Sequence, residues 1–136
     1  MATLAEDGSP RLVPITFATV GEVVGEIVGE LGGRIGGRDV VFSAVDDKPK
    51  STPALARLRR IERDPRVCLL ADAYSEDWSQ LWWVRADARA EVLTDGAEWD
   101  TAIAFLQHKY QPYRLRPPTG AVIRFVVSDW SGWTAS

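Results

Sequence analysis

Apolar runs of strand length recur six times along this chain, and mostly turn-length segments separate them. The runs are rich in Val, Ile, Phe and Trp, and only two other segments have the apolar spacing of an amphipathic helix. Short connections suit antiparallel strands, because parallel neighbours need long crossovers. The sequence therefore predicts a mainly β (α+β) fold, a six-stranded antiparallel β-barrel with two peripheral helices, within one domain spanning residues 1–136.

The predicted elements follow from local signals. Asp7-Gly8 between two apolar runs indicates a hairpin, and Pro14 marks an edge or bulge position because proline cannot donate to a ladder. Pro53 suits the first turn of a helix that Pro65 ends. The predicted strands are 2–5, 11–18, 39–45, 66–74, 80–94 and 121–130, and the predicted helices are 51–65 and 96–110.

Residues 21–38 form a glycine-rich repeat that interrupts this pattern. Glycine recurs every four residues from Gly21 to Gly37, which is costly inside a helix, and Glu recurs too often for a membrane-spanning GxxxG helix. We interpret the stretch as an insertion between two strands, either a long hairpin or a marginal packed helix.

Composition excludes several classes of function. A net charge of −3 argues against binding nucleic acid through bulk charge. One cysteine, Cys68, and one histidine, His108, cannot build a disulfide within the chain or a His-rich metal site. The sequence contains no signal peptide and no apolar run of about 18 residues, so we expect a cytoplasmic protein that does not enter the membrane.

The turn "DDKPKST" at residues 46–52 is the densest polar segment. Lys48 and Lys50 share one face of an extended segment, and the N–H groups of the following helix start are suited to an anion. A phosphate clamp is one interpretation. A solvated turn neutralised by Asp46 and Asp47 is the other.

Two further groups of residues each allow two interpretations. The predicted first helix carries Arg57, Arg59, Arg60 and Arg63 on faces that are either solvated or anion-binding. Trp82 and Trp83 are adjacent on a strand and must point in opposite directions, towards a core or interface, or towards a flat ligand.

The order of these segments resembles one known family. The runs "RLVPITFA", "VVFSAVDDKPKST", "RDPRVCLLAD" and "WWVRADARAEV" are similar to the split β-barrel flavin-binding proteins. That family includes the pyridoxamine 5′-phosphate oxidases and actinobacterial relatives that use the deazaflavin coenzyme F420. The pieces "LWWVRADA", "KYQPYRLRPP" and "DWSGW" resemble the deazaflavin subgroup most, and the resemblance covers the chain outside residues 21–38.

The resemblance implies a split β-barrel homodimer with the cofactor between subunits. It implies an oxidoreductase that transfers hydride from reduced F420 to a small conjugated acceptor. FMN is the alternative cofactor, and a non-catalytic cofactor-binding protein is the alternative function. The implied cofactor-binding residues are the ring-facing Val13, Pro14, Ile15 and Thr16, the phosphate-facing Ser43, Ala44, Lys48, Pro49 and Lys50, the tail-binding Arg57 and Arg60, and the aromatic Trp83 and Trp133.

Other segments depart from the family or extend the comparison. Pro49 replaces the arginine of the oxidases' Ser-Arg-Lys pattern, which weakens the resemblance to that subgroup. The family usually has a helix before its first strand, so a longer natural N-terminus is an open alternative. Tyr110 and Tyr113, with the arginines that follow them, resemble a lid near the cofactor groove.

Overall fold

The fold consists of seven strands and three α-helices within residues 1–20, 39–45 and 52–135, the part of the chain that the computed structural model describes. The glycine-rich stretch 21–38 lies outside these residues. The strands are Ala2–Leu4 (β1), Pro10–Leu12 (β2), Ala18–Thr19 (β3), Val40–Ala44 (β4), Arg66–Ala73 (β5), Trp82–Leu93 (β6) and Val122–Thr134 (β7). The helices are Thr52–Arg63 (α1), Ala97–Lys109 (α2) and Gln111–Leu115 (α3).

All seven strands form one antiparallel sheet in the order β2-β1-β5-β6-β7-β4-β3. Its two edges, β2 and β3, do not pair with each other within the described ranges, so the sheet is open. The mainly β class is therefore confirmed, whereas the predicted six-stranded β-barrel is corrected to one open seven-stranded sheet.

The two errors in the element count both involve proline. The predicted strand 11–18 divides into β2 and β3, and Pro14 lies in the irregular segment between them, because it cannot supply a ladder hydrogen bond. Residues 111–120, which lie outside every predicted element, contain α3. Its Pro112 lies in the first turn, where a helix does not use the N–H that proline lacks.

The core consists of two layers on either side of β4, all five residues of which are buried. On one side Phe42 packs with Phe105 of α2, with ring centroids 6.2 Å apart. On the other side Val41 lies in a cluster with Ile61 of α1 and Phe125 of β7. Successive strand residues point to opposite faces, so β4 contributes to both layers; α2 packs on β4, whereas α1 packs on β6 and β1.

No helix in residues 1–20, 39–45 and 52–135 is long and apolar enough to cross a membrane.

Candidate functional site

A groove of about 540 Å³ opens between the segment after β2 and the edge of β5. Pro14, Ile15 and Phe17 form one wall, and residues 69–72 form the other. In the described part of the chain β1 pairs with β5 only through Ala2 and Cys68. The backbone of β5 beyond Cys68 is therefore not covered by β1, and its N–H and C=O groups lie beside the groove.

Side chains of β6 and β7 complete the groove. Trp82, Val84 and Ala86 alternate along β6 and all line it, as Trp130 of β7 does. The groove walls are mainly apolar, with two indole rings among them. Such a surface suits a flat, largely apolar ligand.

Trp130 reaches the groove because β7 contains a bulge. Ala88 pairs with Val127 but Asp87 pairs with Asp129, so Ser128 is an extra residue. One extra residue reverses the alternation of the strand. Val127 therefore packs against the core, and Trp130, three residues later, points to the same side of the sheet.

Two tyrosines hold the proline-containing wall from behind. The Tyr110 hydroxyl accepts a hydrogen bond from the Phe17 N–H at 3.1 Å and donates to the Phe17 carbonyl at 2.9 Å. The Tyr113 hydroxyl is 2.7 Å from the Thr16 hydroxyl. The predicted lid residues thus connect α3 and the residue before it to Thr16 and Phe17, and they are not among the residues that line the groove.

The four residues predicted to face the cofactor ring lie partly in the groove and partly in the core. Pro14 and Ile15 line the groove. Val13 packs against the core cluster beneath β4, and Thr16 faces Tyr113.

The phosphate-facing residues divide in the same way. Ser43 is 1% exposed, and its hydroxyl has no hydrogen-bond partner within the described ranges. Ala44 packs in the layer beside α2. Lys48, Pro49 and Lys50 lie outside the described residues.

Two arginines of α1 donate hydrogen bonds to the first hairpin. Arg60 Nε donates to the buried Thr3 hydroxyl at 2.9 Å, and Arg63 donates to the Leu4 carbonyl at 2.9 Å. Arg57 is half-buried, whereas Arg59 is exposed. Arg60 therefore contributes to the packing of α1 on β1.

The two predicted aromatic contacts, Trp83 and Trp133, lie opposite each other in the β6–β7 ladder. Neither is among the residues that line the groove, and Trp83 alternates with Trp82, which does line it. The Arg85 guanidinium lies 5.9 Å from the Trp83 ring centroid, as a cation–π pair. The structure thus brings Trp82 and Trp130 to the groove and leaves Trp83 and Trp133 on the opposite face.

The cysteine and the acidic groups do not suggest nucleophilic or metal chemistry. Burial, followed by the hydrogen bond with Asp87, raises the pKa of the Cys68 thiol, which disfavours the reactive thiolate. Among the residues that the structure describes, no group of three His, Cys, Asp or Glu side chains could hold a metal ion.

Two observations indicate that the groove can accommodate a flavin-type ring. Its volume of 540 Å³ lies within the range of about 300–1,000 Å³ typical of small-molecule sites. Its walls combine aromatic faces with strand backbone groups, which can bond to the polar edge of a heterocycle.

Comparisons with known proteins agree with this fold. The family model described as pyridoxamine 5′-phosphate oxidase matches residues 1–134. A conserved hypothetical protein from Mycobacterium tuberculosis is 19% identical with a TM-score of 0.62, covering 98% of this chain and 74% of that one. No curated protein matches the sequence.

Two other solved structures have titles that mention function. An FAD-binding protein from Mesorhizobium loti is 18% identical with a TM-score of 0.56, covering 96% of this chain and 81% of that one. A putative 5-nitroimidazole antibiotic resistance protein from Bacteroides thetaiotaomicron is 14% identical with a TM-score of 0.61, covering 96% of this chain and 72% of that one. Likenesses at these identities show a shared fold.

Proposed function

Because the chain belongs to the pyridoxamine 5′-phosphate oxidase family, we propose that it is an oxidoreductase that binds the deazaflavin coenzyme F420. It transfers hydride from the reduced coenzyme to a small conjugated acceptor. The observation that carries the proposal is the groove between Pro14–Phe17 and the uncovered edge of β5, with the rings of Trp82 and Trp130 in its walls.

The coenzyme supplies the hydride chemistry, and the protein supplies position and surroundings. Trp82 and Trp130 offer aromatic surface for a flat ring, and Ile15, Val84 and Ala86 exclude water from it. Backbone N–H groups of residues 69–72 are placed to orient the polar edge of the ring. In this proposal Lys48, Lys50 and the start of α1 hold the phosphate.

The openness of the groove supports a homodimer. Trp82, Val84 and Trp130 line it, yet each remains exposed to solvent. Exposed apolar groups that lie together usually mark a surface that another molecule covers. We therefore propose that a second copy of the chain closes the groove over the coenzyme.

FMN is the alternative cofactor, and the FAD-binding neighbour of the same fold supports an ordinary flavin. The two cofactors differ at the end remote from the ring. A deazaflavin carries a polyglutamate tail, for which we propose the exposed Arg59 and the half-buried Arg57 as contacts. Arg60 already donates to the Thr3 hydroxyl, so the exposed Arg59 is better placed than Arg60 for this role.

Tryptophan fluorescence tests the site directly. Purified protein is titrated separately with FMN and with oxidised F420, and quenching is followed in three proteins: wild type, Trp82→Phe/Trp130→Phe and Trp83→Phe/Trp133→Phe. We expect strong quenching by F420 in wild type, and most of it lost in the first double variant.

The second double variant is the matched control, since it removes the same number of indoles from the other face of the same two strands. It should retain most of the quenching. Quenching that disappears with Trp83 and Trp133 instead would place the ring on the outer face. Absence of binding by either cofactor would refute the proposed function.

A further inference from the structure

Trp130 occupies its place in the groove through a polar contact. Its side chain is 45% exposed, and its cross-strand neighbour Ala86 offers only a methyl group. Such a ring has several staggered orientations open to it unless a specific bond selects one. The indole Nε1–H donates to the Asp39 carboxylate at 2.8 Å, and bonds to a charged acceptor are stronger than neutral ones.

Asp39 and β7 are joined by two hydrogen bonds, one through the side chain of Asp39 and one through its backbone. It lies immediately before β4, and its backbone carbonyl accepts from the Val127 N–H at 2.9 Å. Asp39 therefore bonds to β7 on both sides of Ser128, the bulged residue. The Ser128 hydroxyl donates to the Asp87 carbonyl at 3.0 Å, which fixes the bulge to β6 as well.

From this arrangement we infer that Asp39 is a positioning residue that holds the Trp130 ring in the wall against which the bound ring stacks. The inference rests on the proposed function for its ligand. Asp39 acts in two ways: its bond selects the orientation of the indole, and its negative charge at the N–H edge increases the electron density of the indole face. The fixed orientation favours stacking of any flat ring, and the charge favours an electron-poor heterocycle over an electron-rich ring.

The bond itself can be tested without any ligand. In a ¹⁵N-labelled sample the six tryptophans give six indole N–H resonances, and Trp130→Phe identifies that of Trp130. We expect Asp39→Ala to move this resonance upfield and to accelerate its hydrogen exchange, with the others nearly unchanged. Asp129→Ala is the matched control: it removes an exposed carboxylate next to Trp130 in sequence and should leave the resonance in place. A Trp130 resonance that does not respond to Asp39→Ala would overturn the inference.

The effect on binding is tested with FMN and F420 as probes. We expect Asp39→Ala to weaken binding of whichever probe binds wild type by about tenfold, the size of one hydrogen bond to a charged group. Asp39→Asn keeps an acceptor without the charge, so its loss should be about threefold. In a Trp130→Phe background, Asp39→Ala should cause little further loss, because the donor is already absent.

The outcomes separate the inference from the proposed function. Equal losses from Asp39→Ala in both backgrounds would show that Asp39 acts independently of Trp130, and would overturn the inference. A responsive Trp130 resonance in a protein that binds neither probe would support the Asp39–Trp130 link and refute the cofactor proposal. If Asp39→Ala does not fold, Asp39→Ser replaces it in both measurements, since the shorter hydroxyl cannot span the same distance.

Discussion

Two buried hydroxyls in this protein should respond to removal with opposite signs. Ser43 is 1% exposed and its hydroxyl has no partner among the described residues, whereas Thr3 is 2% exposed and accepts from Arg60 Nε at 2.9 Å. A buried polar group without a partner costs about 1–3 kcal/mol. We expect Ser43→Ala to raise the free energy of unfolding by about 1 kcal/mol, after the small loss of packing around the removed oxygen. For a domain of this size that is about 3 °C in Tm.

Thr3→Val is the matched control because it removes a buried hydroxyl while preserving shape. It leaves the Arg60 guanidinium without its acceptor, so we expect the free energy of unfolding to fall by about 1.5–3 kcal/mol. Urea unfolding of the three proteins, with equal m-values required, measures both effects. A loss of 1 kcal/mol or more in Ser43→Ala would show that this hydroxyl is bonded in solution, and the reasoning from its burial would be refuted.

Three further predictions concern the groove wall, an ion pair and the coenzyme tail. Tyr110→Phe leaves both the N–H and the C=O of Phe17 without their partner, so urea unfolding should show a loss of about 1–3 kcal/mol; a neutral result would contradict the wall-bracing role. The hydrogen bonds from Arg66, foremost that from its side chain, lower the pKa of Asp64 from its ordinary 3.8 to about 2. The stabilisation by the Asp64 carboxylate should therefore be complete above pH 3.8 and lost as the pH falls through about 2. Asp64→Asn should remove this part of the acid dependence of Tm. An Asp64 carboxyl resonance that titrates near 3.8 would contradict the prediction. Arg59→Glu should weaken F420 binding severalfold at low salt and less at high salt, since Arg59 is exposed and its charge is screened. FMN has no polyglutamate tail, so its binding should not change. Equal effects on both cofactors would contradict the proposed contact between Arg59 and the tail.

Much of the framework was predictable because its local signals are strong. The helices α1 and α2 and the strands β4, β5 and β6 lie within two residues of the predicted bounds. The end of β7 was predicted at Trp130, but the strand continues to Thr134 because it pairs with β6 as far as Trp82. That extension has no signal in the polar sequence "SGWT": it arises from tertiary pairing, which overrides local preference.

The candidate site shows where strand periodicity fails as a guide. Alternation correctly places Trp82 and Trp83 on opposite faces, but it cannot say which face carries the groove, since that depends on where the segment Pro14–Phe17 packs. Counting along β7 by twos from the buried Phe125 would leave Trp130 on the far face. The bulge at Ser128 reverses that count, and nothing in "VVSDW" reveals it. The register that brings Trp130 to the groove is stabilised by Asp39, a residue 91 positions away in sequence, whose role becomes visible only once both strands are in the same sheet. Trp130 therefore reaches the groove through one inserted residue and one distant carboxylate, whereas Trp83 and Trp133, the rings that the sequence indicated, lie on the opposite face of the sheet.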